Sequence, residues 1–409
     1  MIGTFDRQAD ILKLISLLDI SPTLYKNAND KYQALAKFLE ECDIEADMYP
    51  HGSFALGTVV RPSAKDPDAA YDLDFICQLR QTRDQISPSE LRKKIEDALK
   101  SSDRYSGKLT IYEECFTIEY ADINGIKFTI DIVPAADETS QKKQDLIEKS
   151  DRPDLLYTAI AIPKHNGNRN YSWLTNNPRG FHQWFEEINK PFLSFNREYR
   201  RREILNSNRM VFESVDDIPE GLERSSMQRV IQILKFHRDM FYQNLRRADS
   251  DDLKPISAII NTLVAAISAS ANPQSNVFEL LAYVLDELNI YAQHQTLLTE
   301  DFTRRYGSRS IIRRSSNDRI WVIPNPADPE DNLADKWNKN PEIPKLFFTW
   351  VAVCSKDLIN SLSLPDSQFR STMDNAFGKT TMQKYWGEKY RTAIPTAKPI
   401  VTKPKPYRI

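Results

Sequence analysis

The sequence predicts an α/β (α+β) protein of two lobes, a mixed sheet in the first and an all-helical second, with a cleft between them. Two observations carry that prediction. Tyr71-Asp-Leu-Asp-Phe-Ile and Lys127-Phe-Thr-Ile-Asp-Ile-Val are apolar, strand-like runs that carry acids. After Glu223 the texture changes to apolar residues at helical spacing, as in Met227, Val230, Ile231, Leu234 and Phe241. The 409 residues suffice for two or three domains with cores of their own. We divide them into N-terminal helices with the sheet core (1–210), a helical domain (211–392) and an extended tail (393–409).

Composition narrows the function classes. The hydrophobic fraction of 41% and charged fraction of 27% are ordinary for a water-soluble globular chain. A net charge of −2 announces no general affinity for nucleic acid. Cys42, Cys77, Cys115 and Cys354 are scattered without a CxxC pair, which argues against a disulfide framework or a zinc cluster and fits a reducing cytoplasm. The N-terminus carries acids early and lacks a small-residue cleavage site, unlike a signal peptide. The longest apolar run, Ile256 to Ala271, is interrupted by serines and Asn261 and is too short to span a bilayer. The expectation is a cytoplasmic protein without a membrane partner.

In order, Ile11, Leu12, Leu14, Ile15, Leu17 and Leu18 predict a first helix, and Tyr32, Leu35, Ala36, Phe38 and Leu39 a second over about 30–42. Ile44 to Val60 reads as strand–turn–helix, broken at Gly52. Arg61 to Ala70 is a Pro- and Asp-bearing loop that separates Ser53 from the first acidic strand. Ser87-Pro-Ser-Glu90 is a helix start, and Leu91 to Leu99 the helix it opens, with Lys93, Lys94 and Lys100 as a solvated face. Leu109 to Tyr112 and Cys115 to Tyr120 alternate at period two, and Asn124-Gly125 turns the second into the strand of Asp131. Residues 138–209 are polar and punctuated by prolines and asparagines, with Trp173 to Phe185 a loop leading into a helix. Helices follow at Pro255 to Ala271 and Val277 to Tyr291, then a turn-rich loop from Asn325 into a helix at Trp337. The tail from Ala393 is Pro- and Lys-rich and reads as extended.

The chemistry-bearing residues are the acids. In a strand, positions i and i+2 share a face, so Asp72 and Asp74 project together while Leu73, Phe75 and Ile76 face the core. Two adjacent carboxylates repel unless a cation lies between them. Mg2+, a hard ion bound by one or two carboxylates plus substrate phosphates, suits such a pair. Asp131 adds a third acid from a second apolar strand. Acids in apolar strands are costly unless compensated, which favours a site over a solvated surface.

Gly52-Ser53 at a strand–helix turn, then acid-x-acid, then a third acidic strand resembles the nucleotidyltransferase superfamily typified by DNA polymerase beta. The resemblance implies a polymerase-beta-like palm and two Mg2+ ions, with Mn2+ as a substitute. It assigns Asp72 and Asp74 to both metals, Asp131 to the one that activates the attacking hydroxyl, and Gly52 and Ser53 to the triphosphate. Met227-Gln-Arg-Val-Ile-Gln-Ile-Leu-Lys235 resembles the helix of oligoadenylate synthases and bacterial cyclic-oligonucleotide synthases that carries a triphosphate-binding lysine, here Lys235. Lys254-Pro-Ile-Ser257 resembles the next helix start, which assigns Ser257 to the triphosphate as well, although a hydroxyl there also suits a cap. Asn325-Pro-Ala-Asp-Pro-Glu-Asp-Asn resembles an oligoadenylate-synthase loop of structural role.

These motifs are similar to those of the bacterial cGAS/DncV-like nucleotidyltransferases, the CD-NTases. That group condenses nucleoside triphosphates, ATP among them, into cyclic di- or trinucleotide second messengers and releases pyrophosphate in anti-phage (CBASS) signalling. It also implies operon-encoded regulatory proteins as partners. No His/Cys cluster of the kind that grips DNA in the animal sensor of this group occurs here, which speaks against direct activation by DNA and leaves a nucleic-acid activator open. The alternatives are transfer to an RNA, protein or small-molecule acceptor, or a catalytically silent nucleotide-binding module. The stretches around Arg197–Arg202 and Arg304–Arg314 interleave arginines with Tyr199 and Tyr306. We read them as solvated faces or substrate phosphate contacts in preference to a nucleic-acid surface, and His51 as structural.

Overall fold

A computed structural model describes residues 3–61, 70–121, 127–168, 170–195, 197–314 and 320–391. Most of the Arg61–Ala70 loop, the Asn124-Gly125 turn and the tail from Ala393 lie outside these residues.

The first lobe is built on a seven-stranded mixed sheet: β1 (Ala46–Pro50), β2 (Tyr71–Thr82), β3 (Leu109–Ile111), β4 (Phe116–Ala121), β5 (Lys127–Asp137), β6 (Ile160–His165) and β7 (Tyr171–Asn176). Its main path runs β1-β2-β5-β4-β3, while β6 joins the far end of β5 and pairs with β7. β2 and β5 are parallel and all the other pairs antiparallel. The expected antiparallel strand before Asp131 is thus β4. Leu73, Phe75, Ile130, Ile132, Phe116 and Ile118 point to one face and are fully buried there. Ile76 departs from expectation. As an even-numbered residue it shares the acid-bearing face, where Ala135 and Ile160 bury it in a small separate cluster.

Parallel neighbours need a crossover. Among the helices α1 (Thr4–Leu18), α2 (Pro22–Glu41), α3 (Gly52–Ala55) and α4 (Pro88–Ser101), it is α4 that lies between β2 and β5 in sequence. Its predicted start holds: Glu90 N donates to Ser87 Oγ (3.2 Å) and Ser87 N to Glu90 Oε2 (2.9 Å). Leu91, Ile95 and Leu99 then face the sheet core. α2 begins eight residues before the predicted Asp30, because Ser21 caps it and Pro22 occupies its first turn.

The polar stretch 138–209 is more regular than expected. It contains α5 (Ser140–Glu148), the β6–β7 hairpin, α6 (Pro178–Ser194) and α7 (Arg197–Ser207). Trp173 is therefore in a strand, not a loop. The expected helix follows at once, with Asn177 Oδ1 accepting from Gly180 N (3.0 Å).

The second lobe surrounds α8 (Ser226–Asn244), which is buried along most of its length and opens on a Ser225–Gln228 capping box. Around or beyond it come α9 (Ser250–Leu253), α10 (Ser257–Ser268), α11 (Val277–Tyr291), α12 (Thr299–Tyr306), α13 (Asp335–Lys339), α14 (Glu342–Cys354), α15 (Asp366–Phe377) and α16 (Lys379–Trp386). α11 has its predicted bounds, and α10 starts two residues later than predicted. The Asn325 loop is a hairpin, Pro324–Asn325 against Asp328–Asn332. Two elements from before residue 211 join this helical core: α1 through Ile11, Leu14, Ile15 and Leu18, and α6 through Phe185 and Phe192.

The two arginine-rich stretches are engaged within the chain. Arg197 and Arg201 pair with Glu223, Arg202 with Glu198, Arg304 with Asp301 and Arg309 with Glu287. Arg314 donates to His294 O (2.8 Å) and stacks on Trp321. These pairs answer most of the charge that a nucleic-acid surface would need. No helix among the described residues is long and apolar enough to cross a membrane.

Candidate active site

The register of β2 and β5 creates the acid cluster. Asp74 lies opposite Asp131 and Asp72 opposite Thr129. One carboxylate oxygen from each of Asp72, Asp74 and Asp131 falls within 4.8 Å of the others. Neighbouring hydroxyls orient two of them: Thr129 Oγ1 donates to Asp72 Oδ1 (3.0 Å) and Thr117 Oγ1 to Asp131 Oδ1 (2.7 Å). Among the causes acting on Asp74, burial is the largest, followed by the charges of Asp72 and Asp131; together they push it up to about 7. Burial and Asp72 push Asp131 up to about 6. Three oxygen donors, two of them raised by burial and by neighbouring acids, fit a hard divalent cation, whose charge would remove the conflict.

Gly52 is required twice over. Its φ of +58° lies in the left-handed region, and a Cβ there would sit 2.4 Å from Asp74 Oδ2. The chain turns at this glycine because His51 N donates to Asp74 O (2.8 Å), tying the turn to β2. α3 is a single turn, so Gly52 and Ser53 offer local N–H and hydroxyl groups beside the acids, not a long helix dipole. His51, read from sequence as structural, lines the cleft; burial holds its imidazole down at about 4, which keeps it neutral.

The helical lobe supplies the opposite wall. A cleft of about 450 Å3 is lined by Gly52, Ser53, Asp72 and Asp74 on one side and by Lys235 and Ser257 on the other. Asp131 is absent from that lining and lies next to Asp74 on the neighbouring strand. Lys235 is 7% exposed, and its Nζ donates to Thr58 O (3.0 Å). Burial, then the nearby Arg238 charge, pull its ammonium down to about 8, against the attraction of Asp239 and Asp74. The structure thus gathers six of the seven sequence-nominated residues around one cavity, with the seventh, Asp131, beside Asp74.

Sequence reading missed several cleft residues. Arg238 and Asp239 follow Lys235 by three and four positions, and Asn261 follows Ser257 by four, so helical spacing alone would have nominated them. Asn325 and Asp331, assigned to a structural loop, also line the cleft. Their hairpin is clamped to the sheet lobe by Lys142 and Lys149, which both pair with Glu330 (2.5 Å each). Asn177 Nδ2 adds a bond to Ala327 O (3.0 Å).

The site is thus a sheet bearing three acids, closed over by a helical lobe that presents a lysine. Comparison with known proteins then indicates its class. Residues 6–152 match the Second Messenger Oligonucleotide or Dinucleotide Synthetase domain family. A c-di-GMP synthase from Roseivirga ehrenbergii is 23% identical over 348 residues, 83% of this chain and 76% of its own. The Bradyrhizobium diazoefficiens CD-NTase CdnG, solved in complex with GTP, has a TM-score of 0.64 at 18% identity, covering 92% of this chain and 97% of its own. Escherichia coli MS115-1 CdnC with ATP gives 0.57 at 14% identity, over 90% of this chain and 97% of its own. CdnC in a HORMA-deltaN complex gives 0.55 at 14% identity, over 91% of this chain and 97% of its own. These findings bear out the resemblance to the bacterial cGAS/DncV-like CD-NTases and the polymerase-beta-like fold it implied.

Proposed function

We propose that the chain is a divalent-cation-dependent nucleotidyltransferase that condenses nucleoside triphosphates into a cyclic di- or trinucleotide and releases pyrophosphate. The observation that carries this reading is the convergence of Asp72, Asp74 and Asp131 on one sheet face, across a cleft from Lys235. The c-di-GMP synthase relative and the GTP- and ATP-bound neighbours support nucleotides as substrates. The product would serve as a cytoplasmic second messenger in anti-phage (CBASS) signalling, as the family resemblance implies. The HORMA complex of CdnC supports a regulatory protein partner.

Asp72, Asp74 and Asp131 would hold the ions, two Mg2+ or in substitution Mn2+, which supply charge neutralisation at the α-phosphate and acidify the acceptor hydroxyl. The chain does the rest by positioning. Gly52 lets the backbone approach the donor phosphates without a side chain in the way, and Ser53 offers its hydroxyl to them. Lys235 holds a positive charge opposite the acids, where a departing pyrophosphate accumulates negative charge. Thr117 and Thr129 keep the Asp131 and Asp72 carboxylates aimed. The acceptor oxygen forms its bond to the α-phosphorus as the bond to the pyrophosphate oxygen breaks, and the hydroxyl proton leaves on the Asp131 side. A second round on the linear product closes the ring.

Purified protein given the four nucleoside triphosphates and Mg2+ or Mn2+ is expected to release pyrophosphate. Mass spectrometry should find a phosphatase-resistant cyclic product. Label appearing only on added RNA or protein, with no free cyclic product, would refute the reading.

A further inference from the structure

The helical wall of the cleft contains a polar group that the fold leaves unsatisfied. Asn261 stands one turn after Ser257 on α10, so the two side chains share a face, and both line the cleft. Asn261 is only 4% exposed, yet its Oδ1 is buried without a donor. A carboxamide withdrawn from water and left unpaired costs the folded chain stability, and such groups in native proteins call for an explanation. Among the described residues no acceptor meets Nδ2 either, and since Asn261 lines the cleft its N–H groups are the part of this amide a ligand with acceptors can engage.

Arg238 accounts for the polarity of the neighbouring hydroxyl. Its Nη1 donates to Ser257 Oγ (3.2 Å) and to Pro255 O (3.0 Å), and its Nε to Asp239 Oδ1 (2.8 Å). A hydroxyl that already accepts from a guanidinium turns its own proton elsewhere, and the cleft lies on that side. With the Lys235 ammonium, this wall presents donors toward the cavity, and its carboxylate, Asp239, is answered by Arg238 and Lys254. An acceptor-rich ligand matches it, and a polyphosphate is the densest such ligand a nucleotide carries.

We propose that Asn261 is a further nucleotide-binding residue, its carboxamide joining the Ser257 hydroxyl in donating to the polyphosphate of a nucleoside triphosphate. In the same arrangement Arg238 is a positioning residue that commits Ser257 to the donor role. The inference rests on the nucleotidyl-transfer reading of the same cleft and adds which side chains its helical wall contributes.

The test measures binding by calorimetry for wild type, Asn261→Leu and the isosteric Asn261→Asp. The probes are inorganic tripolyphosphate, the α,β-methylene analogues of ATP and GTP, and the free nucleosides. Asn261→Leu should be at least as stable as wild type without ligand, since no protein hydrogen bond is lost. It should bind tripolyphosphate and the analogues about 10-fold more weakly, with nucleoside binding unchanged. Asn261→Asp should lose more, by charge repulsion. Arg238→Gln should raise KM for the triphosphates about 10-fold while changing kcat much less. Tripolyphosphate bound by both Asn261 variants as by wild type would overturn the proposal. So would an equal loss for nucleosides, which places Asn261 on the base or sugar, or a destabilised ligand-free Asn261→Leu, which makes the amide structural. Failure of wild type itself to bind any triphosphate analogue would instead remove the nucleotidyl-transfer reading, and this inference with it.

Discussion

Two acidic sites in this molecule have been taken out of water with opposite outcomes. Asp19, at the end of α1, is buried, and burial alone would raise it. Arg224 and Arg229 more than offset that, donating at 3.0 and 2.8 Å, and hold its carboxyl below the usual range. Asp74 is removed from water as well, but its near neighbours are two more acids, and it is pushed up to about 7. The fold neutralises the charge between α1 and α8 from within and leaves the charge in its cleft unneutralised. That asymmetry separates a structural acid from one reserved for something the chain does not itself carry.

The sharpest way to break the comparison is to neutralise both cleft acids of β2. Asp72→Asn with Asp74→Asn should lower pyrophosphate release by roughly 10³-fold or more while the protein stays folded by circular dichroism. Next in size is Asp19→Ala, which leaves the buried Arg224 and the half-buried Arg229 without their carboxylate. Denaturant unfolding should show a loss of about 3–5 kcal/mol, with activity retained in the molecules that remain folded. Divalent cation at a hundred times its dissociation constant should stabilise wild type by about 2.7 kcal/mol in thermal unfolding and leave the double-Asn variant unmoved.

The smallest effect carries the clearest sign. A carboxyl whose folded pKa is about 7 against 3.8 costs stability as pH rises above 3.8, because the unfolded chain ionises first, and the cost is complete above the folded value. Ion-free wild type should therefore lose stability relative to Asp74→Asn as pH rises from 4 to 7. The gap should be on the order of 2 kcal/mol at pH 8, discounted for the partial exposure of the site, and should vanish below pH 4. Asp19, held below its ordinary value, contributes nothing to that window; its contribution is lost only on further acidification. A variant gap that failed to narrow toward pH 4 would show that the cleft acids are not in conflict.

The legible parts of this sequence were those where one residue breaks an otherwise uniform pattern. Asp72, Asp74 and Asp131 stand out because each interrupts an apolar strand, and α11 because it is amphipathic between a capping Asn276 and its end. β6 and β7 were hidden by the opposite circumstance. Lys164, His165, Ser172 and Asn176 dilute the apolar alternation, since β7 is an edge strand with one wet side. Periodicity shows that a helix has a buried face but not against what, so the place of α1 in the helical core could not be read. Asn261 interrupts an apolar run one turn after Ser257, which places it on the same face, but its unpaired state depends on a cavity wall assembled from several elements.

The seating of α1 also has a consequence for how the molecule is made. Arg7 donates to Leu362 O, 355 residues away, and pairs with Asp366. At 5–20 residues per second, synthesis of that partner lags α1 by roughly 20–70 s. During this interval Arg7 lacks these partners, although α8, on which α1 also packs, has already been made. The Arg7 end of α1 is thus fixed only once residues 362–366 have been made, whereas α8 can bond Leu56, Thr58 and Val59 earlier.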